Sequence, residues 1–270
     1  MKGSRKIQVL RFDGRTSKTH LDTVAQEEPL EIRLEAAGVR QTVNTTMRTT
    51  GHDFELAIGW CLSEGLVARA EEIQKVSYCL SNKLEQRFNS LVVRLKTKQM
   101  PTFQSRHTLS TSACGVCGKA NLEALELRCA ALPSTESVTL ETLYALPEKL
   151  CAAQPLFTST GGIHAAALFS SHGKLLAVRE DIGRHNAVDK LIGWAAMQHQ
   201  PLEQTILLVS GRAGFEIAQK AITAQIPVLA SVSAPSSLAV EVANNFNLTL
   251  IGFLRGRRMN VYAGASRIQT

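Results

Sequence analysis

Nowhere in its 270 residues does the chain approach the ~20 uninterrupted apolar residues that a membrane-spanning helix requires. Its start, MKGSRKIQVLRFDGR, is positively charged but lacks the apolar h-region of a secretory signal. Both absences point to the cytoplasm and away from a membrane. The chain also has no second CxxC and no HxxxH. No patterned pair therefore completes a four-ligand zinc site around its one CxxC, Cys114 and Cys117; His107 and Cys129 are possible further ligands at no recognisable spacing, which makes zinc the lesser reading. HxE and CxE are missing as well, and Ala113 rather than proline precedes the first cysteine, which excludes zinc nucleobase deaminase chemistry. From Phe253 to Thr270 there is no acidic side chain, and only Phe253 and Tyr262 are aromatic near the arginines there. That is too few for a single-strand stacking platform, so no nucleic acid is expected as a partner.

What remains is an ordinary globular composition, 44% hydrophobic and 20% charged, sufficient for one large domain or two ordinary ones. A net charge of +7 favours an anionic partner, whether a nucleotide, a nucleic acid or an acidic protein. The six cysteines, without a signal peptide, read as reduced thiols rather than a disulfide framework. Cys61, Cys79, Cys129 and Cys151 sit among apolar neighbours and read as core.

Leu30, Ile32 and Leu34 alternate with polar residues, Gly38 punctuates, and Val39, Val43 and Met47 follow, which predicts a hairpin over 29–47. A helix is expected over 52–63, stopped at Gly65, and strands at 73–80 and 88–95. Residues 96–113 carry no apolar periodicity and read as a long loop leading to the CxxC. Helices are expected at 119–130 and 139–151. From His164 the pattern becomes α/β, with strands at 164–170, 174–179, 205–209, 227–232 and 248–253 and helices at 185–198, 213–224 and 236–246. The last three strands are short apolar runs separated by helices, the pattern of buried parallel strands joined by crossovers. The expected division is a smaller strand-rich α+β unit over 1–110 and an α/β domain over 111–270.

Ligands of parallel sheets bind beyond the carboxyl ends of strands. Here those ends are followed by Ser210-Gly211-Arg212, by Ser233-Ala234-Pro235-Ser236, and by Arg255-Gly256-Arg257-Arg258. Small residues ahead of helices expose backbone N–H groups and arginines bring forked donors, together a phosphate site. The plainer reading makes the serines helix caps and the arginines a solvated tail. Arg184, His185 and Asn186 stand at another strand-to-helix turn and suit a polar heterocycle. In the same run Asp181 reads as a cap, and Asp189 and Lys190 as a solvated helix face.

The CxxC stands before a helix-like segment, with Lys119 nearby and glycines on both flanks. Helix dipole and cation favour a thiolate there, which suits nucleophilic sulfur chemistry, and an idle pair of reduced thiols is the alternative.

The strings SACGVCG, EDIGRHNAVDKLIG, VSGRAGFE, SVSAPSSLAVEVA and LTLIGFLRGRRMNVY resemble, in order and spacing, those of the formate dehydrogenase accessory sulfurtransferase family, FdhD. The likeness runs from about residue 20 to 263. It implies a cytoplasmic, homodimeric sulfur carrier with a cytidine-deaminase-like α/β domain and no catalytic metal of its own. Persulfide sulfur would pass from a cysteine desulfurase to Cys114, with Cys117 as the second cysteine. The acceptor would be molybdenum bis(molybdopterin guanine dinucleotide), bound as substrate before it enters formate dehydrogenase. Phe253, Leu254, Arg255, Gly256, Arg257 and Arg258 match the family's segment for that cofactor. Ser210, Gly211, Arg212, Ser233, Arg184 and His185 join them as candidate contacts from the reading of the strand ends. The rival from another class is a nucleotide-binding regulatory protein whose CxxC senses redox state or zinc, and metal analysis separates the two.

Overall fold

The computed structural model describes residues 3–79, 88–97, 99–101, 125, 129–133 and 137–270. Cys114, Cys117, most of the 96–113 loop and most of the helix expected at 119–130 lie outside the described residues. The chain opens with β1 (Ser4–Asp13) and β2 (Thr16–Ala25), an antiparallel ribbon that the sequence pattern did not announce. Then come β3 (Glu28–Ala36), β4 (Val39–Arg48), α1 (Asp53–Ser63), β5 (Ile73–Tyr78) and β6 (Ser90–Leu95), which form a four-stranded sheet in the order β4-β3-β6-β5 with one helix. Leu30, Ile32, Leu34, Leu91, Val93 and Leu95 turn inward from this sheet and pack against Leu56, Ala57 and Cys61 of α1. The period-2 and period-3.6 patterns thus meet in one core.

The remainder comprises β7 (Val138–Thr139), α2 (Leu140–Ala152), α3 (Pro155–Thr160), β8 (His164–Ser170), β9 (Leu175–Asp181), α4 (Arg184–Met197), β10 (Thr205–Val209), α5 (Phe215–Thr223), β11 (Val228–Ser231), α6 (Ser237–Asn245), β12 (Thr249–Arg255), β13 (Arg258–Ala263) and β14 (Ile268–Gln269). Six strands form one sheet in the order β13-β12-β11-β10-β8-β9. β10, β11 and β12 are parallel, as their uniform apolar character predicts, while β8 runs antiparallel to β10. Alternate residues serve opposite faces: Leu207 and Val209 meet Val188 of α4 and Ile217 of α5, whereas Ile206 and Leu208 meet Leu143 and Leu146 of α2. The result is a three-layer arrangement with a core on each side of the sheet. Cys61 lies in the core as expected, but Cys151 is exposed, because it falls on the solvent side of amphipathic α2.

α1 bridges the two sheets. Its inner face packs on the four-stranded sheet, and its other side lies against α4 so closely that a Cβ on Gly59 would come 1.8 Å from the Asp189 carbonyl oxygen. Polar contacts reinforce the crossing. Ser63 Oγ donates to Asp189 Oδ1 at 2.8 Å, Lys220 Nζ lies 2.8 Å from the same oxygen, and Arg179 grips Glu55 with two donors at 2.5 and 2.7 Å. Asp189 and Lys190 are each 1% exposed, so the solvated helix face expected there is instead a buried junction whose partners come from distant segments.

Candidate functional site

Because β10, β11 and β12 are parallel, their carboxyl ends share one edge of the sheet; because β8 is antiparallel, it begins at that edge and β9 ends there. Five segments therefore converge: His164, the turn from Asp181 to His185, and the loops after β10, β11 and β12. The N-termini of α4, α5 and α6 open onto the same edge and add their positive dipole ends.

Backbone bonds lock these loops to one another. Ala213 N–H donates to Ala234 O at 3.2 Å, Ser236 N–H to Ala213 O at 3.1 Å, and Phe253 N–H to Ser233 O at 3.0 Å. Ser231, buried at the end of β11, ties two of the loops together: its hydroxyl donates to Gly211 O at 2.7 Å and accepts from Ser233 N–H at 3.1 Å. Gly252 permits the tightest approach, since a Cβ there would lie 2.8 Å from Pro235 Cδ and 2.9 Å from a Tyr262 ring carbon.

The residues singled out from the sequence fall into three groups. Ser210, Gly211 and Arg184 come together with His164: Ser210 Oγ accepts from Ala165 N–H at 2.9 Å, and a Cβ on Gly211 would stand 3.3 Å from His164 Nδ1 and 3.7 Å from Arg184 Cδ. His185 faces the next loop, with Nε2 3.1 Å from Glu216 Oε2. Ser233, Phe253 and Arg255 form the second cluster, Arg255 Nε donating to Val232 O at 3.0 Å. Gly256, Arg257 and Arg258 belong to the β12–β13 turn, where Gly256 takes φ 52° and Arg258 pairs with Arg255. Arg257 points to α2, making two bonds to Glu141 at 3.0 and 2.5 Å and covering the Tyr144 ring. Leu254 is fully buried in the core beneath α2, so its side chain is withdrawn from the edge. Arg212 is exposed. Of the serines read as possible caps, Ser236 caps α6 by accepting from Ala239 N–H at 3.2 Å; Ser233 does not cap a helix. Asp181 is not the cap of α4 either: that position is Gly183, whose N–H donates to Asp181 Oδ1 at 2.8 Å.

The electrostatics are those of a site short of negative charge. Burial pushes His185 down to about 3, assisted by Arg184 and Lys220, and burial with Arg184 also lowers His164. Both rings are therefore neutral near pH 7. Arg184 Nε is buried and bonded to no described residue. A buried donor left without a partner costs roughly 1–3 kcal/mol, a cost that Arg184 Nε carries among the described residues. Sequence reasoning passed over Ser231, Glu216 and Gly252. Only Gly252 carried a signal, as an isolated glycine in a strand pattern. Among the described residues, no group of three or more His, Cys, Asp or Glu side chains is placed to hold a metal ion.

These features define a mixed α/β protein with its polar loops gathered at the carboxyl edge of a short parallel run of strands. The FdhD/NarQ family model matches residues 25–269, and the chain belongs to that family. A relative from Streptomyces avermitilis is 50% identical over 273 residues, covering 98% of this chain and 95% of its own length. One from Mycobacterium tuberculosis is 50% identical over 93% of both chains, and one from Sulfurisphaera tokodaii 40% identical over 98% of both. All three carry the name sulfur carrier protein FdhD. Among solved structures, a Desulfotalea psychrophila protein that carries a formate dehydrogenase accessory name superposes with a TM-score of 0.80, at 22% identity over 99% of this chain and 100% of that one, a likeness of fold.

Proposed function

We propose that this protein is a sulfur carrier serving formate dehydrogenase. In this reading Cys114 Sγ attacks the terminal sulfur of a cysteine desulfurase persulfide, and the desulfurase thiolate leaves. The sulfur carried on Cys114 then passes to molybdenum bis(molybdopterin guanine dinucleotide), bound as substrate before its insertion into formate dehydrogenase. Cys117 assists by attacking Cys114 Sγ, which closes a disulfide and expels the outer sulfur as hydrosulfide.

The observation that carries the proposal is the convergence, on one edge, of three helix N-termini, Arg184, whose buried Nε bonds to no described residue, and the segments bearing Ser210, Ser233 and Arg255. Such an edge suits the pyrophosphate and base of a guanine dinucleotide. The shared name of relatives aligned over nearly the whole chain supports the same reading. We also read the sheet as cytidine-deaminase-like: a β8–β9 hairpin followed by three helix-linked parallel strands in the order β9-β8-β10-β11-β12 supports it. A cytoplasmic homodimer, divided into units 1–110 and 111–270, completes the proposal. Among the described residues no helix is long and apolar enough to cross a membrane.

Mass spectrometry after incubation with a cysteine desulfurase and cysteine tests the carrier role. The expected result is added sulfur on Cys114 that is lost in Cys114→Ala; undiminished loading of that variant would overturn it.

A further inference from the structure

The three segments at the carboxyl ends of β10, β11 and β12, residues 210–216, 231–237 and 253–258, contain four arginines and a single acidic residue, Glu216. A carboxylate on an edge that receives phosphates opposes its own ligand by like-charge repulsion. Its position is nevertheless well defined. Glu216 stands in the first turn of α5, its Oε2 is 3.1 Å from His185 Nε2, and its side chain is 52% exposed at the edge. His185 is itself only 26% exposed and is held neutral, so the ring orients the carboxylate without cancelling its charge. The side chain is half exposed, and a carboxylate whose Oε2 lies beside one ring N–H keeps accepting capacity for further donors.

An exposed, oriented carboxylate among cations gains from a ligand that carries neighbouring N–H donors. Of the common purines, guanine presents such a pair, N1–H and the 2-amino group, spaced for both oxygens of one carboxylate. Adenine presents an unprotonated N1 and nothing at position 2, so the same carboxylate would meet a lone pair and remain unpaired. We propose that Glu216 is the base-specificity residue of this edge, accepting from guanine N1–H and the 2-amino group and rejecting adenine. This rests on the reading of the edge as a nucleotide site. It assigns to α5 a role in choosing the base that donors to phosphate, a feature common to all nucleotides, would not perform.

Titration calorimetry on the full-length protein with guanosine, inosine, adenosine and xanthosine diphosphates tests it. Wild-type protein is expected to bind guanosine diphosphate about 10- to 100-fold tighter than adenosine diphosphate, as charge-assisted pairs allow. Inosine diphosphate, which keeps N1–H but lacks the 2-amino group, falls roughly tenfold below guanosine diphosphate, and this comparison needs no variant. In Glu216→Gln the gap between guanosine and adenosine diphosphates closes to within about threefold, and xanthosine diphosphate gains, because the amide donates where the carboxylate repelled. An unchanged guanine preference in Glu216→Gln, with only a lowered melting temperature, would mean that Glu216 merely complements the α5 dipole and would overturn the inference alone. Wild-type protein that binds no guanosine diphosphate would overturn the reading of the edge as well, while sulfur loading of Cys114 would report the carrier role independently.

Discussion

Gly59 of α1 rests on Gly193 of α4 so closely that a methyl group on the first would lie 2.7 Å from the amide nitrogen of the second. The contact is reciprocal, since a Cβ on Gly193 would come 1.9 Å from Glu55 O. Neither obstacle is a flexible side chain, so the two helices would have to separate. Gly→Ala at an unconstrained helix position stabilises by up to about 1 kcal/mol. Here the sign reverses, and Gly59→Ala or Gly193→Ala is expected to cost at least ~2 kcal/mol through overpacking. Urea denaturation gives the answer, and a neutral or stabilising result would refute backbone contact between α1 and α4.

A second junction joins Lys190 to Asp181, Nζ to Oδ2 at 2.6 Å, with both side chains withdrawn from water. Lys190 also donates to Thr49 O at 2.9 Å, and Asp181 accepts from Thr49 N–H, Gly183 N–H and Asn186 Nδ2. Such a pair is close to neutral against an apolar replacement of both partners, but removing one strands the other. Lys190→Met is therefore expected to cost about 3–5 kcal/mol. It should also weaken nucleotide binding, because Asp181 fixes Gly183, the residue that leads into Arg184. A loss under ~1 kcal/mol in chemical denaturation would refute the buried pairing of Lys190 with Asp181.

Stability should fall with acidity in a window set by His185. Its folded value, about 3, lies below the ordinary 6.5, so as the pH falls the unfolded chain takes up the proton first. The contribution of a neutral His185 is fully present above about 6.5 and is lost progressively on the way down to about 3. His164, also lowered, adds to the same window; Glu55, held low despite burial by Arg179 and His52, acts below its ordinary 4.5. Wild-type protein should thus lose more stability than His185→Gln between pH 7 and 5, the range above the carboxylate contribution. Parallel curves for the two would show that His185 protonates as readily folded as unfolded.

What was legible in the sequence follows from which forces act locally. The strands at 205–209, 227–232 and 248–253 declared themselves because burial on both faces demands uninterrupted apolar runs, and the structure keeps them within two residues. The β1–β2 ribbon was silent because nearly all of its residues face solvent, so no burial imprints a period on it. β13 was silent for a similar reason, as an exposed edge strand. Asp189 and Lys190 read as a surface pair because helical spacing says nothing of Ser63 or Thr49, the distant residues that bury them. Position after a strand was enough to place Ser210, Ser233 and Arg255 together on one edge of the sheet. Leu254 was carried along by its neighbours although strand alternation turns its side chain into the core. Glu216 looked like any first-turn acid until the fold set it beside His185.

Phe253 offers the sharpest separation between stability and function. It is 43% exposed and holds φ at 54°, a left-handed conformation that costs a residue with a Cβ roughly 1–2 kcal/mol. An exposed aromatic ring kept in a strained backbone gains little for the fold, and such strain persists where it serves a ligand. Its N–H bond to Ser233 O pins the conformation and leaves the ring at the edge, free to stack on a base. Phe253→Asn, which tolerates this backbone without the ring, is expected to leave thermal stability unchanged or raised by up to ~1 kcal/mol. The same change should weaken guanosine diphosphate binding by about tenfold, the worth of one stacking contact. If the variant instead lost more than ~2 kcal/mol of stability and bound the nucleotide normally, Phe253 would be a packing residue, and the ring would have no part in holding the ligand.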